Sequence, residues 1–158
     1  MKRTMWSAVC VVLLVTGCGI QPSGVIDMQE SPTGLAEGWT LYFVGEDGKL
    51  QPFKQRRGSL GTIAEALTSL IQGPPPSGFT TEIPEASAYV FVYESDNTIT
   101  LRVPLADYEA TETGIDQIVC TTLASHIQAG GSEKATVTVR FTMGTPGSVR
   151  GRTCPLLN

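Results

Sequence analysis

Residues 62–74 read Thr62-Ile63-Ala64-Glu65-Ala66-Leu67-Thr68-Ser69-Leu70-Ile71-Gln72-Gly73-Pro74, and this stretch decides what kind of fold the chain can have. Thr62 followed by Glu65 is the spacing of a capping box, in which hydroxyl and carboxylate each take a free backbone N–H. Ile63, Ala66, Leu67, Leu70 and Ile71 then fall at i, i+3, i+4, i+7 and i+8, one stripe of an amphipathic helix. Gly73 and Pro74 stop it.

The flanking segments read as strands and one more helix. Upstream, Leu41 to Val44 is an apolar strand, Glu46, Asp47 and Gly48 form a turn, and Leu50 to Arg56 returns as a second strand that Pro52 places at an edge. Downstream, Ala88 to Glu94 and Thr98 to Val103 pair as a hairpin through Asp96 and Asn97, with Ile99, Leu101 and Val103 toward the core. A second helix runs from Ile115 to Gln128, with Ile115, Ile118, Val119, Thr122 and Leu123 on one stripe, and Gly130 and Gly131 end it. Ala135 to Phe141 alternates as the last strand, and Thr142 to Thr153 reads as a loose, Gly-rich tail. The order ββαββαβ predicts an α+β fold, a mixed, largely antiparallel sheet with two helices on one face.

The chain has 158 residues, enough for one domain, with a net charge of −4 and 16% charged residues. That balance argues against a nucleic-acid binder, which needs a basic surface. Lys2 and Arg3 precede an apolar run from Met5 to Val15, too short to span a membrane at about 20 residues and laid out as an export signal. Val15, Thr16, Gly17 and Cys18 resemble the lipobox of bacterial lipoproteins. The expectation is a signal peptide over 1–17, a lipid on Cys18, a flexible tether over 18–38 and a folded domain over 39–158, lipid-anchored on the extracytoplasmic face of the cell membrane. Two or more acyl chains on Cys18 hold a protein stably where one does not.

Cysteine usage follows from that compartment. Cys10 leaves with the signal and Cys18 carries lipid, so Cys120 and Cys154 remain as a pair in an oxidising setting and are expected to form one disulfide, pinning the tail.

Catalytic and metal chemistry find little support. Ser125 and His126 are adjacent on a helix and point in different directions, so they cannot form a nucleophile–base pair. His126, the single histidine, reads as a surface or boundary residue. Asp107, Glu109, Glu112 and Asp116 cluster before the second helix, where the helix dipole favours carboxylates without any Ca²⁺. No cofactor, metal or catalytic residue is expected. Lys54, Arg56 and Arg57 form a basic stretch on the edge strand, which blunts edge pairing or offers a contact surface to a partner. Pro74, Pro75 and Pro76 terminate the first helix.

Several of these pieces together resemble a GerMN domain: Leu41, Tyr42 and Phe43 on the first strand; Ala66, Leu67 and Leu70 through Pro74 at the first helix end; Gly78, Phe79, Thr80, Thr81, Glu82, Ile83 and Pro84 before the hairpin; and Gln117, Ile118, Val119, Cys120 and Thr121 on the second helix. The resemblance covers about residues 39–143. It implies a small extracytoplasmic module, often lipid-anchored, that binds proteins or cell-wall material and carries no established catalytic residues. The sequence departs from the family after Thr121, where His126 to Gly131 replaces a short Pro-Gly turn. The tail with Cys154 is similar to small actinobacterial lipoproteins. The expected partner is a cell-envelope protein, such as a membrane sensor kinase or a wall-biogenesis component, with peptidoglycan or a small wall-derived ligand as the alternative.

Overall fold

The opening strand, β1 (Trp39–Gly45), is apolar along most of its length and almost entirely buried, the pattern of a strand covered on both faces. The computed structural model describes residues 38–56, 61–74, 78–86, 89–144 and 147–157. The expected signal segment with Cys10, the expected lipid-bearing Cys18, most of the expected tether, Arg57, Pro75 and Pro76 lie outside the described residues. No described helix is long and apolar enough to cross a membrane.

The chain continues with β2 (Leu50–Gln55), α1 (Ile63–Ile71), the short β3 (Phe79–Thr80), β4 (Phe91–Ser95), β5 (Thr98–Ala106), a 3₁₀ turn (Asp107–Glu109), α2 (Glu112–Gln128), β6 (Thr136–Met143) and β7 (Ser148–Arg152). The fold is α+β with mostly antiparallel strands, and the capping box forms as the sequence requires. Thr62 Oγ1 accepts from the Glu65 N–H at 3.2 Å and the Glu65 carboxylate accepts from the Thr62 N–H at 2.8 Å. The five apolar residues of the α1 stripe are all buried.

Two features correct the sequence reading. The strands form two sheets, β2-β1-β3 and β4-β5-β6-β7, rather than one. The tail is also not a loose loop: Ser148–Arg152 pairs antiparallel with β6 as a seventh strand. Between Val137/Arg152 and Val139/Val149 one residue of β6 faces two of β7, a bulge in which Gly151 adopts φ +64°, a conformation open to glycine at little cost.

The sheets stay separate because α2 occupies the edge of β1. The Tyr42 N–H donates to Thr121 Oγ1 at 3.0 Å, and the Tyr42 carbonyl accepts from Gln117 Nε2 at 3.0 Å. Farther along, Gln128 Nε2 donates to the Gly38 carbonyl at 2.9 Å. Side chains of the helix thus satisfy backbone groups that a neighbouring strand would otherwise take. Gln117 Oε1 also accepts from the Glu82 N–H at 2.9 Å, tying the segment after β3 to the same helix. Since Tyr42 spends both groups on α2, its cross-strand partner Pro52 needs no N–H, which is why proline is tolerated there.

Helix α2 also serves as the crossover between β5 and β6, which run parallel as strands joined by a long connection do. It packs on β1, α1 and β6. Its buried surface is accordingly wider than one stripe and includes the polar Gln117, Thr121, Thr122 and Ser125.

Candidate binding face

Alternation along β4 to β6 sends one set of side chains inward and the other to solvent. Ile99, Leu101, Val103, Val137, Val139 and Phe141 are buried on the inner face. Nothing among the described elements covers the outer face, whose composition is distinctive. Tyr89 (81% exposed), Phe91 (61%) and Tyr93 (53%) follow one another at every second position. Large aromatics this open to water, in a row, belong to no core and make this face the candidate contact surface.

The pairing register carries the row across the sheet. Phe91 lies opposite Arg102, Arg102 beside Arg140, and Arg140 opposite Ser148. One step along, Tyr93, Thr100 and Thr138 align, and beyond them Thr98 and Thr136. At 4.7–4.9 Å between strands, Phe91 and Arg140 are about 10 Å apart along the sheet. The β6–β7 end is concave: Arg102, Arg140 and Arg150, with Thr142, Gly147, Ser148 and the edge of Phe141, line a hollow of about 580 Å³. None of these three arginines forms an ion pair among the described residues. Arg152, by contrast, pairs with Asp116 at 2.6 Å and Glu112 at 3.0 Å, and its hydrogen bond to Asp116 raises its pKa further.

The residues singled out from sequence are dispersed. Cys120 on α2 and Cys154 after β7 form the expected disulfide, Cα atoms 4.7 Å apart and both residues buried. Lys54 and Arg56 are exposed on the β2 edge, while Arg57 and Cys18 fall outside the described residues. The outward row of β2 is Leu50, Pro52 and Lys54, and Pro52 offers no donor at its centre, so that edge is a poor template for an added strand.

His126 is not without a partner: its Nδ1 lies 2.9 Å from the Glu94 carboxylate on β4. Its ring rests against Gly131, where any side chain would overlap it. The turn in which the sequence departs from the resemblance is therefore fitted around this imidazole. The Ser125 hydroxyl is buried without a hydrogen-bond partner among the described residues, and no Ser–His pair forms. The acidic cluster is divided among separate tasks. Glu109 accepts from the Ala106 N–H at 3.2 Å, and Glu112 and Asp116 hold Arg152. Among the described residues no group of three His, Cys, Asp or Glu could hold a metal.

The family model described as Germane, sporulation and spore germination, matches residues 40–139. The chain belongs to the Germane family. No curated protein and no solved structure matches it. The Germane match runs from β1 to Val139 in β6. Gln117 and Thr121, two of the residues that carry the GerMN resemblance, are here the side chains that finish the edge of β1. The arginine hollow of this Germane domain straddles the end of the matched segment, since Arg102 lies within it and Arg140 and Arg150 lie beyond.

Sequence reasoning missed the outer face. Its signal was present in Tyr89-Val90-Phe91-Val92-Tyr93, where aromatic and β-branched residues alternate and so segregate to opposite faces.

Proposed function

We propose that this Germane domain is a non-catalytic binding module of the cell envelope, held at the extracytoplasmic membrane face by lipid on Cys18, that engages an envelope protein through the outer face of β4-β5-β6-β7. The exposed row Tyr89, Phe91 and Tyr93 beside Arg102 and Arg140 carries this reading, because tyrosine and arginine dominate the energetic centres of protein contacts. A rigid sheet backed by buried aliphatic residues presents those side chains with little ordering cost. The lipobox-like sequence supports the anchor.

A second reading, binding of peptidoglycan or a small wall-derived ligand, is favoured by Thr98, Thr100, Thr136 and Thr138. These threonines lie one and two steps along the strands from the Phe91–Arg102–Arg140 row, with Thr100 opposite Tyr93, and their hydroxyls both donate and accept hydrogen bonds.

The test is photo-cross-linking in living cells from the full-length protein, with the reactive residue at position 91 or, separately, at position 54. A reproducible membrane protein captured from position 91 is the expected result. Capture from position 54 alone would move the interface to the basic β2 edge of Lys54, Arg56 and Arg57. Co-sedimentation with purified cell wall, without protein capture, would establish the second reading. Cys18→Ser is expected to abolish partitioning into the detergent phase, and a variant that still partitions would remove the lipid anchor.

A further inference from the structure

Arg102 and Arg140 stand side by side as Cα partners of the parallel β5–β6 pair, and Arg150 lines the same hollow from the bulge of β7. Like charges on one face of adjacent strands repel one another, and the neighbouring outward positions, Thr100, Thr138 and Ser148, show that this face does not require cations to fold. Elsewhere the protein neutralises an arginine with two carboxylates, as at Arg152. Asp107 lies against Gly147 at the rim of the hollow but forms no ion pair with any of the three. A chain of net charge −4 therefore keeps a local cationic hollow next to an aromatic row.

We propose that this hollow seats an acidic polypeptide segment of the partner protein, with carboxylates on Arg102, Arg140 and Arg150 and apolar side chains on Phe91 and Tyr93. The inference rests on the protein-binding reading above and adds the chemistry of the partner. All three cations are arginines, whose planar fork grips a carboxylate through two parallel hydrogen bonds. The patch spans three strands, about 10 Å, and an extended chain places alternate side chains about 6.6 Å apart, so two carboxylates of a short segment fit it. A long anionic wall polymer would run off the patch onto a protein of net negative charge and be repelled. A short segment confines its charge to the arginines. The same contrast orients the encounter, since an acidic partner is attracted at this hollow and repelled by the chain as a whole.

The test titrates the full-length lipidated protein, in neutral detergent, with a fluorescent oligoglutamate peptide and follows anisotropy. Arg102→Gln with Arg140→Gln is expected to weaken binding about tenfold or more, and Arg150→Gln alone, on the edge strand, about threefold. Lys49→Gln with Lys134→Gln removes the same charge from exposed positions elsewhere and is expected to bind as the parent does. Equal loss in both double variants, or none in the arginine variants, overturns the proposal. Tighter arginine-dependent binding of polygalacturonate than of oligoglutamate overturns it in favour of an anionic glycan. The two readings fail differently. Cross-linking from position 91 that survives Arg102→Gln with Arg140→Gln leaves the protein contact standing without the acidic segment, whereas no capture from position 91 in the parent removes the protein contact itself.

Discussion

Thr121 and Thr122 are neighbours on α2, both with no solvent exposure, yet replacing each by valine should have unequal consequences. The Thr121 hydroxyl accepts the Tyr42 N–H at 3.0 Å; the Thr122 hydroxyl donates to the Ile118 carbonyl at 2.8 Å. Valine matches threonine in shape, so neither change opens a cavity. Thr121→Val leaves the N–H of buried Tyr42 on an edge that no strand can reach, and an orphaned buried donor costs about 1–3 kcal/mol. Thr122→Val leaves a carbonyl that keeps its ordinary helical partner four residues on and replaces a buried hydroxyl by a methyl. It is expected to lie within about 0.5 kcal/mol of the parent or above it. The assay is urea unfolding followed by far-ultraviolet circular dichroism with the disulfide intact. At a typical slope of 1–3 kcal/mol per molar urea, the Thr121 variant should unfold roughly 1 M earlier than the Thr122 variant. Equal midpoints, or an earlier one for Thr122→Val, would refute the role assigned to α2 as the partner of the β1 edge.

Three further outcomes follow from the same structure. Removing the disulfide as Cys120→Ala with Cys154→Ala should cost about 3–4 kcal/mol by loop-closure entropy across a separation of 34 residues, and amide exchange should rise first in Ser148–Arg152. Gly114→Ala would place a Cβ 2.8 Å from the Glu82 carbonyl oxygen, too close for contact with backbone, and should destabilise by about 1–3 kcal/mol in the same unfolding assay. Burial raises the Tyr42 pKa above 10.0, so the folded state holds that proton more tightly than the unfolded one. The associated stability is complete below pH 10.0 and is lost as pH rises from there through the folded-state value. Stability measured across this alkaline range should fall less for Tyr42→Phe than for the parent.

What the sequence disclosed and what it withheld divide along physical lines. α1 was legible to the residue because a capping box, a stripe and a Gly-Pro stop are local signals that agree. The β4–β5 hairpin was legible through its Asp96-Asn97 turn, and the disulfide through compartment and parity. β7 was not, since Ser148–Arg152 contains a single apolar residue, Val149, and becomes a strand through pairing with β6 and the grip of Asp116 and Glu112 on Arg152. The division into two sheets was hidden for a related reason. Periodicity shows that Gln117 and Thr121 lie on a helix but not that they face the edge of a strand 75 and 79 residues away. The aromatic row escaped because Tyr89 to Tyr93 is apolar on both faces, so no hydrophobic contrast says which face is outside. The joining of Arg102, Arg140 and Arg150 depends on register, which appears only once strands pair. The link between His126 and Glu94 is likewise a product of the fold.

The alternation of buried and outward residues over Thr98–Val103 of β5 and Thr136–Phe141 of β6 separates two kinds of constraint. Outward Thr100, Arg102, Thr138 and Arg140 sit between buried residues that fill the core, and outward Phe91 and Tyr93 flank the half-buried Val92, so exchanging any of these six removes none of the buried side chains behind the face. The face can therefore vary at little risk to folding, while α2, buried on several sides and bonded to β1, is held nearly fixed. In a randomised library those six positions should tolerate many residues and Gln117 and Thr121 few, so that tolerance to change lies on one side of a single layer of backbone and constraint on the other.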